Sequence, residues 1–257
     1  MDRATQIGIG FGLVAIVAAN VMEGGNPASL LMPPAILLVF GGTIGAAVAG
    51  GTMADAKGAL RSVVRAFTWK PVPPADLVPV VVSLADKARR EGLLTLEDAV
   101  SEVDDDFLKR GVRLVVDGTD PEELREILEA ELYAKKAEDK RSAKFFNDMG
   151  GYAPTIGIIG TVMGLVHVLE NLSEPSELGH LIAGAFGATL WGVMTANVLW
   201  LPIGNRLGRL SELELARMEL VIEGVMAVQA GANPRLVAQR LRSLLPESAR
   251  EPEQQAA

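Results

Sequence analysis

The chain has 257 residues, a mean hydropathy of +0.27, and 24 Lys and Arg against 32 Asp and Glu for a net charge of −8. With 22% of residues charged, an apolar average requires long uncharged runs kept apart from the polar ones, which argues against an ordinary soluble domain. Cations interleaved with acids argue against a nucleic-acid surface, and the lack of cysteine excludes disulfides, thiolate catalysis and Cys-ligated metal.

No Lys or Arg occurs between Ile7 and Met53 or between Phe145 and Asn205. The cations fall at Arg3, within Lys57–Lys144 and within Arg206–Arg250. If each uncharged window is a pair of helices that crosses and returns, all three cationic segments share one compartment, the cytoplasm. The expectation is an all-α polytopic membrane protein with four transmembrane helices, both termini cytoplasmic. Ala4–Met22 supplies the first span, read as retained and not as a cleaved signal peptide. Glu23–Pro27 makes an outer turn, and Ala28–Met53 the second span, so residues 1–53 form one membrane segment. The third span starts at Asp148 and the fourth at Leu178, giving a second membrane segment over residues 148–204. Both outer loops are too short to fold, so soluble function belongs to residues 54–147 and 205–246.

In the first cytoplasmic segment, Leu77, Val80, Val81, Leu84 and Ala88 recur at helical spacing and Gly92 closes the run. Thr95 and Asp98 read as a capping box opening a helix that carries Val100, Val103, Phe107 and Leu108 to Gly111 or Gly118. Asp120-Pro121-Glu122-Glu123 is a strong helix start, and nothing breaks that helix before Gly150-Gly151, so it should run into the third span. After the fourth span, Leu207, Leu210, Leu213, Val221, Ile222 and Val225 continue a helix inward, and Asn233-Pro234 restarts a last one. Two long helices should thus project into the cytoplasm. Residues 247–257 read as a disordered tail.

No span carries a charge at mid-depth, because Asp148, Glu170 and Glu177 fall at helix ends. An ion pathway ordinarily needs a titrating or charged group in the membrane, so another subunit must supply it if this chain moves ions. What the spans carry instead is Gly8/Gly12, Gly41/Gly45 and Gly160/Gly164 pairs that permit close helix approach. Thr161 and Thr189 sit among Gly157, Gly160, Gly164, Ala185, Ala188 and Gly192. Each either bonds a carbonyl one turn back or faces a partner helix or water. Pro154 and Pro202, near the inner ends of the third and fourth spans, each remove a helix hydrogen bond; they are either kinks forming a hinge or simply tolerated. Trp191 and Trp200 read as lipid or subunit contacts, and His167 and His180 as interfacial. Lys87, Arg89, Arg90 and Glu91 face Glu97 and Asp98 across the Gly92-Leu93-Leu94 turn; this is either a solvated face or an electrostatic docking surface. No phosphate loop, nucleophile elbow or metal-ligand cluster is present, so no enzyme is expected.

The string Pro154-Thr155-Ile156-Gly157-Ile158-Ile159-Gly160-Thr161-Val162-Met163-Gly164-Leu165 resembles the third-span signature of the MotA/TolQ/ExbB proton channel family. Met32-Pro33-Pro34-Ala35, Arg89-Arg90-Glu91-Gly92-Leu93-Leu94 and Ala196-Asn197-Val198-Leu199-Trp200-Leu201-Pro202-Ile203 resemble its MotA/PomA flagellar stator branch. The resemblance implies an inner-membrane homopentamer around a pair of B subunits that bring a membrane aspartate and a peptidoglycan anchor. Flow of H+ or Na+ would turn the ring and push the rotor switch protein, with no cofactor. It further implies that Thr161 and Thr189 line the ion path and that Pro154 and Pro202 couple conformations. Arg89, Arg90, Glu97 and Asp98 would meet the rotor. Trp191 stands where a tyrosine is expected after Thr189-Leu190. The rival reading is an ExbB/TolQ-type energiser of outer-membrane processes.

Overall fold

The computed structural model describes residues 4–69, 72–101 and 103–247; the expected disordered tail lies, beyond Glu247, outside the described residues. Among the described residues there are ten α-helices and no strand. The chain divides into two units, Met1–Lys70 with Asp139–Arg209, and Pro71–Glu138 with Leu210–Ala257.

In the first unit, α1 is Ala4–Met22, uncharged and without a buried residue. A 3-10 turn, Pro27–Leu30, is capped by the Asn26 side chain accepting from the Ala28 amide. The second apolar helix, α2, runs over Pro33–Ala49 and is shorter than the expected 28–53 run. Its 17 residues span about 26 Å at 1.5 Å per residue, a little under the roughly 30 Å hydrocarbon core. It stops because Gly50-Gly51 intervenes and a new helix, α3 (Met53–Thr68), starts on a full capping box: Thr52 Oγ1 accepts from the Asp55 amide and Asp55 accepts from the Thr52 amide.

α7 is continuous over Pro121–Glu170, through Pro154. α8 is Pro175–Thr195, followed by a π turn, Ala196–Trp200, and then α9, Leu201–Gln229. Ala4–Met22, Pro121–Glu170 and Pro175–Gln229 are each long and apolar enough to cross a membrane, with Pro33–Ala49 as a shorter apolar helix. α7 and α8 approach closely along small residues: a methyl on Gly160 or Gly164 would strike Ala188 or Ala185 Cβ at 2.5 and 2.6 Å. The Gly160/Gly164 pair therefore packs within the chain. Gly41 and Gly45 have nothing within 4 Å of an added methyl.

Both tryptophans correct the expectation of outward contacts. Trp191 donates its indole N–H to the Leu30 carbonyl at 2.8 Å, and Trp200 is buried edge-on to Phe40 at 5.7 Å. Trp191 thus ties α8 to the 3-10 turn and, 6.2 Å from Phe40, to α2, while Trp200 ties the π turn to α2.

The second unit has a leucine- and valine-rich core shared by α4 (Pro74–Glu91), α5 (Leu96–Ser101), α6 (Asp106–Val116) and α10 (Pro234–Ser243) with the ends of α7 and α9. Leu96, Val112, Leu124, Leu128, Val221 and Leu241 are fully buried there. The single helix expected to follow Thr95 is in fact two. Asp105 caps α6 by accepting from the Leu108 amide, while the Thr95 hydroxyl turns back to donate to the Gly92 carbonyl. Gly111 lies inside α6, and Gly118, at φ +78°, ends it. Asp105 is almost wholly buried and pairs with Arg217 at 2.5 Å.

Candidate functional site

Thr161 on α7 and Thr189 on α8 are both half-buried, and their hydroxyls are directly hydrogen-bonded to one another. Thr161 Oγ1 also lies 3.2 Å from the Gly157 carbonyl and 3.0 Å from the Ala185 carbonyl, while Thr189 Oγ1 is 3.5 Å from Gly157 O. Two hydroxyls own two protons. The shorter contacts favour Thr161 donating to a carbonyl and Thr189 donating to Thr161, which leaves the Thr189 oxygen with free acceptor capacity. The pair exists because α7 and α8 touch backbone to backbone at this level: a methyl on Gly157 would meet Ala188 O at 2.8 Å and Gly192 Cα at 3.2 Å. Sequence reading singled out the two threonines but missed the carbonyls of Gly157 and Ala185, whose only signal was the small residues around them.

Around the pair, α7 and α8 present uncharged apolar side chains outward: Ile158, Val162, Leu165 and Val166 on one, Phe186, Leu190 and Val193 on the other. Among described residues 149–169 there is no Asp, Glu, Lys or Arg. The Asp148 carboxylate, just outside that stretch, is held by Lys144 at 2.5 Å, which pushes the Lys144 ammonium above its ordinary value.

The two prolines are not equivalent. α7 keeps its α-helical course through Pro154, whereas Pro202 follows immediately on the π turn. A proline ring clashes with the carbonyl four residues back, here Val198, and widening the preceding turn relieves it. Leu201 N–H accordingly bonds Ala196 O, five residues back, and the Asn197 amide donates to Val193 O at 2.9 Å, satisfying a loosened carbonyl.

At the other candidate site, Arg89 and Arg90 end α4, Gly92 turns the chain at φ +92°, and Glu97 and Asp98 occupy the first turn of α5. All four charged side chains are exposed, Arg90 pairing with Asp86 at 3.1 Å. Beneath them Leu96 is completely buried. The turn thus holds opposite charges on a firmly seated corner.

Residues 99–220 match the MotA/TolQ/ExbB proton channel family, and residues 6–92 match the motility protein A N-terminal family. The chain belongs to the motility protein A branch of that channel family. It is an ion-conducting stator subunit of the bacterial flagellar motor. Motility protein A of Bacillus subtilis is 38% identical over 96% of this chain and 92% of its own length. Chemotaxis protein PomA of Vibrio alginolyticus is 33% identical over 97% of this chain and 98% of its own. The solved flagellar MotAB stator complex from Bacillus subtilis superposes with a TM-score of 0.89 at 38% identity, covering 96% of this chain and 98% of that one. The N-terminal match favours the motility branch over an ExbB/TolQ-type energiser.

Proposed function

We propose that this stator subunit assembles as a homopentamer around a pair of B subunits in the inner membrane, both of its own termini cytoplasmic, and that the Thr161–Thr189 hydroxyl pair lines the ion path. The observation that carries this reading is the pair itself, two hydroxyls and two carbonyls gathered between α7 and α8 in a stretch without charge. The B subunit's membrane carboxylate supplies the titrating group that the spans lack. The free acceptor capacity of Thr189 suits a water, a protonated carboxyl or a partly dehydrated Na+ passing that carboxylate. No cofactor is needed, since the chemistry is transfer of H+ or Na+.

Pro202 and its π turn form the compliant joint, because a turn of this type has a looser ladder than the α-helix on either side. Pro154 accompanies it on α7. Arg89, Arg90, Glu97 and Asp98 make the surface that meets the rotor switch protein, where opposite charges steer docking and fix register.

The test is ion flux through the complex co-expressed with its B subunit and reconstituted in vesicles, with H+ and Na+ gradients imposed separately. Thr189→Val, which removes the hydroxyl at constant volume, should cut flux of the coupling ion while the ring still assembles. Unchanged flux would remove Thr189 from the path.

A further inference from the structure

α3 carries two unlike faces. On one, Ala59 and Ala66 are 1% and 3% exposed, Ser62 Oγ meets Ser142 Oγ at 3.0 Å, and Arg65 pairs with Asp139 at 2.8 Å. That face, joined by Asp55 with Arg141 at 3.7 Å, docks α3 on α7 through small and polar residues. The opposite face holds Met53, Leu60 and Val64, which share a helix side at i, i+7 and i+11. They are 67%, 73% and 62% exposed. A helix seated only by core packing would turn these large residues inward and its alanines out.

Two neighbours say what covers them. Only Gly50-Gly51-Thr52 separates α3 from α2, an uncharged helix whose Leu37 and Ile44 are themselves exposed. At its far end the Phe67 carbonyl accepts from Gln6 Nε2, in the first turn of α1, at 3.5 Å. α3 therefore runs between the C-terminal end of one membrane helix and the N-terminal end of another. That is the level at which hydrocarbon gives way to headgroups. Trp69, stacked under Arg65 at 4.9 Å, is an aromatic suited to the same layer. Lys57 and Arg61, both exposed, lie along one edge of the apolar face, one turn after Met53 and Lys57 respectively.

We propose that Lys57 and Arg61 bind anionic phospholipid headgroups while Met53, Leu60 and Val64 sit among the upper acyl chains of the same lipids. Which leaflet this is follows from the orientation proposed above; the site itself does not depend on it. Long cationic side chains reach phosphate from an interfacial helix while their stems stay apolar. Each cation near an anionic surface strengthens binding about fivefold, so the two together give about twenty-five-fold.

The assay is lipid retained by the full-length stator complex, delipidated stepwise in detergent and read by mass spectrometry. The complex is first equilibrated in phosphatidylcholine vesicles containing about one-third phosphatidylglycerol, enough to give an anionic surface. The wild-type complex should retain phosphatidylglycerol in preference, and the Lys57→Ser/Arg61→Ser variant should lose most of that preference with unchanged oligomer size. Equal retention of both lipids, or a preference that survives the double substitution, would overturn the proposal. So would dissociation of Leu60→Ser/Val64→Ser rings in detergent, which would show the apolar face covered by a second copy. Because bound lipid and not motility is read, the outcome stands apart from the ion-path reading.

Discussion

Gly157→Ala should disable the stator through a displacement of tenths of an ångström. The added methyl would sit 2.8 Å from Ala188 O, about 0.6 Å short of ordinary contact, and 3.2 Å from the Cα atoms of Thr189 and Gly192. All three obstacles are helix backbone, which no side-chain rotation can clear. Overpacking of this kind costs ~1–3 kcal/mol, and the better helix propensity of alanine returns ~1 kcal/mol at most. With the full return the net loss is thus about 0–2 kcal/mol, too little to prevent insertion and assembly. Separating α7 from α8 stretches the 3.0 Å bond from Thr161 to Ala185 O towards the limit of a hydrogen bond and disturbs the paired hydroxyls. The assay is swimming speed in a deletion strain, alongside membrane abundance and the melting temperature of the purified complex. Gly208→Ala is the control, since its methyl would meet nothing within 4 Å. Wild-type speed and melting in Gly157→Ala would refute the claim that this crossing positions the site.

Further outcomes follow from other contacts. Asp105→Ala removes the α6 cap and strands Arg217, so the second unit should lose about 3–5 kcal/mol in denaturant titration. Asp105→Asn, able to keep the cap, should lose less. The Asp55 carboxyl is held below its ordinary value of 3.8, first by the Thr52 hydroxyl and then by the Thr52 amide and Arg141. Its contribution is therefore full above the unfolded value and lost as pH falls through the folded one. Protection against hydrogen exchange in the first turn of α3, taken relative to the intrinsic rate at each pH, should fall below pH 3.8, and Thr52→Ala should lower it already at neutral pH. Arg89→Glu with Arg90→Glu should abolish torque while membrane abundance and ring size hold; loss of the ring would make this corner structural. Restoration of torque by compensating charge changes in the rotor protein would confirm the contact.

Much of the molecule could be read from charge and periodicity. The cation-free windows marked the apolar helices, α1 has the limits its sequence suggests, and α7 runs unbroken from the Asp120-Pro121 start into the apolar stretch. What escaped were competitions between local signals. Thr52-x-x-Asp55 forms the real capping box although the uncharged run reads through Thr52 to Met53, while Thr95, with the same pattern, spends its hydroxyl on Gly92. α3, apart from Met53, falls in the segment read as cytoplasmic and was not recognised as a helix, because its exposed apolar residues and buried alanines invert the usual pattern and only burial separates the two faces. The helix after Thr95 was split by Asp105, whose pairing with Arg217, 112 residues away, leaves no local trace. The threonines were legible as residues, but the carbonyls that complete their site depend on how closely two helices approach.

The π turn at Ala196–Trp200 has a consequence for how this chain tolerates change in length. A turn of that kind holds one residue more than a regular helix needs, so deleting a single residue there can heal the ladder and leave α8 and α9 in phase with their neighbours. The same deletion elsewhere in α9 would swing every later side chain by about 100° around the axis and turn Val221 and Val225 out of their core. Insertions and deletions among relatives in this helix should therefore gather within these five residues, which act as a slip joint in the sequence as well as in the fold.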